Sequence, residues 1–488
     1  MHFTLIYPPL YFRTPDLPAG QGASQNLGLG YLASYLARHG FGTKTINAFN
    51  LGIDTAVHAP YKGQDLYRVG LPFDDIVSRL PQETDYACLS IPFSNAFPVV
   101  RELASAIRCA RPHLGIIMGG VHASTFPHEC LRAGADLVVE GEGEIPMLAI
   151  ARGAPPAEVP GVHVLKNGVP VSGGPPGCPD SLDDIPFPQK SADDVEICAK
   201  HPPRGGAYHK TISLITSRGC PFGCRFCSIH PVCGRRWRAR SARNVLDEIE
   251  YWHSTYGIRH FEFEDDNLTL DRDRALAIFD GISARYPDVT WAAHNGVRID
   301  TLDESLVSAM KRSGCQQLNL AVESGTPEVL ARMNKKLSLD KVEEVVTLCG
   351  RHGIKAAGFL LVGYPGETGD TFRRTISFFR RLRKKGLYAA IPLIVNAYPG
   401  TQLYDECREK GFLADGVEEH VFVEDDDFIS IVTPDFDRAK VIRWKKQAAR
   451  RINGGRIRRL ARRVKQKLAS MANAGQPIAA ASTRANQG

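Results

Sequence analysis

Apolar residues follow two periods along this chain, and the two alternate. In residues 1–150, short apolar runs of strand length stand at Phe3–Tyr7, Thr43–Asn47, Ala87–Ile91, Leu114–Met118 and Asp136–Glu140. Between them, apolar positions three and four apart predict helices at Leu27–Arg38, opened by Asn26, at Phe97–Ala110, and from Glu144 onward. Strands that alternate with helices form parallel sheets covered on both faces. Ligands of such sheets sit at the carboxyl ends of the strands.

Residues 151–210 break the alternation. APPAEVPG, GGPPGCPD and DDIPFP are rich in Pro and Gly, which remove backbone donors and raise chain entropy. A linker with little regular structure is expected there, with a small hairpin around Val162–Val171. Alternation resumes over 211–415. Strands are predicted at Ile212–Thr216, His260–Glu264, Thr290–Asn295, Gln317–Val322, Ala356–Val362 and Ala389–Val395, with helices such as Ser241–Thr255 and Leu339–His352 between them. Six such units are too few for a closed eight-stranded barrel, so a partial barrel is expected. Residues 416–488 form a C-terminal extension. In it an acidic run, Glu424–Asp427, precedes a basic segment with Ile457, Leu460, Val464 and Leu468 at helical spacing, and the last residues read as disordered.

At 488 residues the chain has room for two or three domains. No apolar run is long enough to span a membrane, and Met1–Leu10 lacks a basic leader and cleavage site. A cytoplasmic location is the expectation. The formal charge of +7 misleads, because residues 438–488 carry fifteen Lys or Arg and no Asp or Glu. The body is therefore net acidic. The basic tail suits an anionic surface, or an amphipathic helix docked by its apolar stripe.

Nine of the twelve cysteines are scattered singly. The other three stand together in SRGCPFGCRFCSIH as Cx3Cx2C: Cys220, Cys224 and Cys227. Three thiolates on one loop can each hold one iron of a cubane, which leaves the fourth iron open to a ligand. Gly219 and Gly223 would let the loop fold tightly. A zinc knuckle would use the same thiolates with His230 or Cys233 as fourth ligand.

Cx3Cx2C after the first strand of a βα region, with Phe226 before the last cysteine, resembles the radical S-adenosylmethionine (SAM) superfamily. That resemblance implies a 4Fe–4S cluster on the three cysteines, whose open iron chelates SAM. One-electron cleavage then gives a 5′-deoxyadenosyl radical, with a flavodoxin- or ferredoxin-type protein as electron donor. The order of further motifs is similar to the branch that contains methylthiotransferases and cobalamin-dependent enzymes. The resemblance places Glu264, Asp265 and Asp266 near the SAM amino group, Glu323 and Ser324 near ribose, and Lys336 near the carboxylate. It places Gly363 and Pro365 at the adenine, and Tyr398 after the sixth strand.

The first domain resembles cobalamin-binding domains through Gly119-Gly120-Val121-His122 and Glu140-Gly141-Glu142-Gly143-Glu144. Ser90, Gly119, Gly120, His122, Glu140, Gly141 and Glu142 are the expected cobalamin contacts. Many such domains supply a cobalt-binding His in Asp-x-His-x-x-Gly; here Phe49 stands at that place, and Phe cannot ligate cobalt. Trp237, Arg238 and Arg240 would line a substrate channel.

The expected architecture is α/β. A flavodoxin-like (Rossmann-like) cobalamin-binding domain (1–150) and a linker (151–210) precede a partial (β/α)6 TIM-type radical SAM barrel (211–415) and a helical C-terminal extension (416–488). The expected function is a cobalamin-dependent methyltransferase that places a methyl group on an unactivated carbon, or a phosphinate phosphorus, of a small metabolite. Oxidative cyclisation or rearrangement with the same cofactors, RNA methylthiolation, and a non-enzymatic cobalamin or redox sensor are the alternatives.

Overall fold

The computed structural model describes residues 1–18, 21–202, 210–414 and 428–454. The acidic run Glu424–Asp427 and the stripe from Ile457 to Leu468 lie outside the described residues.

Two sheets organise the molecule. The first contains β1 (His2–Tyr7), β2 (Gly42–Asn47), β3 (Tyr86–Ser90), β4 (Gly115–Gly119), β5 (Leu137–Val139), β6 (Val162–Lys166) and β7 (Val169–Ser172). Its spatial order is β7-β6-β5-β4-β3-β1-β2. β2, β1, β3, β4 and β5 run parallel. This 2-1-3-4-5 order is flavodoxin-like, with its topological switch point between β1 and β3. Successive side chains feed opposite faces: Ala87 and Leu89 enter one core, whereas Cys88 enters the other with Ala33 and Leu36 of the helix Leu27–Arg38.

The hairpin β6–β7 stands where it was expected, but it belongs to the first sheet and not to a linker. β6 pairs antiparallel with β5, so the first sheet runs on to Ser172, past the boundary expected at 150. The connecting segment also forms a helix, Ala192–Lys200, closed by a capping box between Ser191 and Asp194.

The second sheet contains β8 (Thr211–Leu214), β9 (His260–Phe263), β10 (Thr290–Val297), β11 (Cys315–Glu323), β12 (Lys355–Val362) and β13 (Ala389–Ile394). All six are parallel, and their spatial order follows the chain. This is an open, partial (βα)6 barrel. Phe261, Phe263, Trp291, Leu318 and Leu320 join the core beneath the helices, and Trp291 stacks on Phe279 of the helix Arg272–Arg285. Glu262, His294 and Asn319, at alternating positions, therefore face the barrel interior.

The helix Arg438–Asn453 packs on the edge strand β13 and on the helix Gly369–Lys385. Val441, Trp444, Ala448 and Ile452 are buried, and Trp444 stacks on Phe372. The Asn453 side chain bonds both the N–H and the C=O of Ala390, at 2.9 Å each, and so caps the edge strand β13. The basic extension begins as a docked amphipathic helix.

Candidate functional site

The three cysteines lie on the loop after β8, all partly exposed. Ser217–Arg218 and Arg238–Ala239 pair as a two-stranded ribbon that closes the base of this loop. Gly219 takes a φ of +86°, and a Cβ there would lie 2.4 Å from the Arg236 carbonyl. Gly223 lies against Asn334, whose side-chain amide donates to the Gly223 carbonyl at 2.7 Å. Arg225 N–H donates to Met333, and the Arg225 carbonyl accepts from Leu403 N–H. The loop is thus held at both ends and in the middle.

The acidic motif after β9 holds the ribbon in place. Asp265 is buried and accepts from the Thr216 N–H and hydroxyl and from the Ser217 hydroxyl, the hydroxyls at 2.7 and 2.5 Å. Asp266 accepts from the Gly219 N–H; burial, then the charge of Asp265, pushes its carboxyl up to about 6. The expected contact of Asp265 with SAM is corrected, because its oxygens are already spent on the base of the cluster loop. Glu264 accepts from Ser213 at 3.3 Å and stands on the interior face of the barrel.

At the end of β11, Glu323 is 6 % exposed and holds a φ of +65°, a left-handed conformation that is costly for a non-glycine residue. Its carboxylate pairs with buried Lys335 at 3.2 Å. Lys336, the expected cation, is solvent-exposed; the turn directs Lys335 inward instead. Ser324 is buried beside Thr326 and Thr375, a structural position rather than a ribose contact. Gly325 admits the helix Gly369–Lys385, where a Cβ would come within 2.7 Å of Phe378. Phe226 is half-buried against the barrel core.

In the turn after β12, Glu367 accepts from the Gly363 N–H at 2.7 Å, and burial pushes its carboxyl up to about 7. Gly363 has a φ of +86° and faces Val441 of the C-terminal helix, and Pro365 is buried beside it. Tyr398 stays exposed at the barrel mouth.

Two groups near the site were missed in the sequence. Arg298, just after β10, is buried over the Phe222 ring at 3.4 Å and pairs with Asp300. In the barrel interior, Glu262 lies between His294 (2.6 Å) and His260 (3.4 Å). Burial opposes ionisation of Glu262, but the two histidines outweigh it and hold the carboxyl at about 2. His260 and Glu262 are two apart on β9, the spacing of one strand face, but His294 joins them only across the adjacent strand β10.

The donor set fits a cubane. Burial pushes the Cys224 and Cys227 thiols up, Cys227 to about 11, while Lys335 and Arg298 act against burial at Cys224. Three cysteines on one loop suit a cubane, because each thiolate meets its own iron and the fourth iron needs no protein ligand.

In the first domain the expected cobalamin contacts divide. Ser90 and Gly119 stand at the carboxyl ends of β3 and β4, and a Cβ at Gly119 would meet nothing nearer than 3.7 Å. Phe93, 61 % exposed, lies on the loop after β3. An open strand end with an exposed ring beside the switch point suits a flat macrocycle. Gly120 has another reason: at φ +106°, its Cβ would lie 2.7 Å from the Ile91 carbonyl. His122 is buried, stacked on Phe97 at 4.3 Å and bonded to Ser94, so it does not reach the crevice. Phe49 is likewise buried, beside Phe12.

Glu140 pairs with His163 at 2.7 Å, and Gly141, at φ +74°, packs on Pro176. Glu142 is buried between Arg218 and Arg238, and Glu144 bonds Arg218. Glu140, Gly141 and Glu142 are corrected from cofactor contacts to structural residues. Arg238 and Arg240 are equally committed, Arg240 to buried Glu248, and neither lines a channel. The short helices Val121–Thr125 and His230–Cys233 pack together, and Gly400 lies against Pro231 and Thr125. The strand ends of the first domain therefore face the cluster loop.

Two family models match the chain: the B12 binding domain over residues 21–151 and the Radical SAM superfamily over residues 214–379. An uncharacterised methyltransferase of Pyrococcus horikoshii is 32% identical over 296 residues, 59% of this chain and 62% of that protein. Cytidylyl-2-hydroxyethylphosphonate methyltransferase of Streptomyces wedmorensis is 29% identical over 444 residues, covering 84% of this chain and 82% of that protein. The fold is similar to the radical SAM methyltransferase TsrM of Kitasatospora setae, with a TM-score of 0.66 and 19% identity over 84% of this chain and 76% of that one. It is also similar to the cobalamin-dependent radical enzyme OxsB, with a TM-score of 0.69 and 16% identity over 91% and 66%.

The cysteine loop on a partial barrel defines a radical SAM enzyme. With a B12-binding domain in front of that barrel, the chain belongs to the cobalamin-dependent radical SAM family. The cofactors of that family are a 4Fe–4S cluster, SAM and cobalamin. No helix among the described residues is long and apolar enough to cross a membrane.

Proposed function

We propose that this chain is a methyltransferase that moves a methyl group by way of cobalamin to an unactivated carbon, or a phosphinate phosphorus, of a small molecule. The observation that carries the reading is the opposition of the two strand-end faces, with Val121–Thr125 packed on His230–Cys233. When bound, the cluster and SAM supply one-electron cleavage, and cobalamin carries the methyl group. Cys220, Cys224 and Cys227 would hold the cluster, and Asp265 and Asp266 keep their loop in register. Lys335, Glu323 and Arg298 supply the charges beside Cys224 that suit the amino-acid end of SAM. Ser90, Gly119 and Phe93 would receive cobalamin. The barrel interior would hold the substrate, with His294 oriented by Glu262 as its hydrogen-bonding group. The identity to the phosphonate methyltransferase, over most of both chains, makes a hydroxyalkyl phosphonate nucleotide the first substrate to try. An external one-electron donor is required. The basic segment beyond Arg438 suits an anionic surface.

The test is anaerobic cluster reconstitution, then incubation with cobalamin, SAM and reductant, and mass spectrometry. 5′-Deoxyadenosine together with methylated cobalamin supports the reading. 5′-Deoxyadenosine without cobalamin binding rejects methyl transfer and leaves a radical enzyme of another kind.

A further inference from the structure

Arg218 and Arg238 stand directly opposite each other in the ribbon that closes the cluster loop. Like charges at such a pair are destabilising, so the ribbon is a poor structure by itself. The first domain corrects this. Glu142 reaches between the two guanidinium groups, accepting from Arg218 at 2.8 Å and also from Arg238. Glu144 accepts from the second Arg218 nitrogen at 2.8 Å. All four side chains are at most 13 % exposed, so water and salt screen them little. Tyr31 of the first domain lies beneath the Arg218 guanidinium.

We infer that Glu142 is a positioning residue through which the cobalamin-binding domain closes and places the cluster loop. The ribbon is closed only while the first domain is docked. The same contact sets how the cobalamin face stands relative to the cluster. Glu142 acts through Arg218 and Arg238. The inference rests on the cofactor assignment above, and its test separates the two.

The variant is E142Q in the full chain, which keeps the shape and removes the charge. The control is E102Q, a first-domain carboxylate bonded to Tyr11 and near Arg68. Hydrogen exchange on cofactor-free protein is followed at residues 216–219 and 237–240. E142Q should exchange faster there, on the order of a hundredfold, as expected when a buried ion pair loses one partner. E102Q should match wild type. In reconstituted protein without substrate, the ratio of methylated cobalamin to 5′-deoxyadenosine should fall in E142Q, because only the former needs both cofactors in register. Unchanged ribbon exchange, or an unchanged ratio, overturns the inference. If wild type forms no methylated cobalamin, the methyl-transfer reading fails while the exchange experiment still judges the bracket. Should E142Q not fold, E144Q, which removes one of the two carboxylates on Arg218, is measured the same way and should loosen Ser217–Arg218 first.

Discussion

Replacing Lys335 by Met tests the charge balance beside Cys224. Lys335 and Glu323 are 7 % and 8 % exposed at their side chains and 3.2 Å apart. K335M keeps the apolar stem but leaves the Glu323 carboxylate buried without its cation. Breaking a buried pair from one side costs about 3–5 kcal/mol. Glu323 also sits at φ +65°, a strained conformation that costs about 1–3 kcal/mol and is retained only when neighbours enforce it. The double variant E323Q/K335M removes both charges, and its cost should fall to about 1 kcal/mol, the net value of one hydrogen bond. The double variant should therefore be about 2–4 kcal/mol more stable than K335M. Urea unfolding followed by fluorescence measures the difference, because Trp252 and Trp291 are buried in the barrel core and report its loss. K335M within 1 kcal/mol of wild type, or a double variant as unstable as K335M, refutes the reasoning.

Further outcomes are expected elsewhere. Replacing any one of Cys220, Cys224 or Cys227 with Ala should abolish the cluster's visible absorbance after reconstitution, whereas C233A should keep it. Burial holds His122 at about 4, below its ordinary 6.5, so it contributes stability above pH 6.5 that is lost as pH falls from 6.5 to about 4. The loss amounts to about 3 kcal/mol, and H122F should flatten the stability profile over that window in urea titrations at successive pH values. N453A should cost about 1–3 kcal/mol by freeing both backbone groups of Ala390 at the sheet edge, read as a lower urea midpoint and faster exchange along β13.

Much of this arrangement could be read from local pattern. The strands emerge within a few residues of their expected positions because apolar alternation is a local property. Cx3Cx2C and the motifs at successive strand ends sit where a βα fold presents ligands. The hairpin β6–β7 was legible, but not that it extends the first sheet, because its pairing partner β5 lies before the intervening helix Glu144–Ala151. The Met333-Asn334-Lys335-Lys336 turn offered two cations. Only its geometry, with Asn334 at φ +53°, decides that Lys335 turns inward. His122 and Glu142 looked alike as polar residues near strand ends, yet one is stacked between rings and the other spans two domains.

The sequence by itself determined the class of both domains and, through the resemblance of its motifs to a known family, the cofactor set. These depend on periodicity and on motifs that are local in the chain. Tertiary structure alone decided which polar residues face a cofactor and which are spent on the scaffold. Asp265, Glu142 and Glu262 are carboxylates with similar local contexts. Their roles differ because burial makes an unpaired charge expensive, and the partners that neutralise it come from elsewhere in the chain: Thr216 and Ser217, Arg218 and Arg238, His260 and His294.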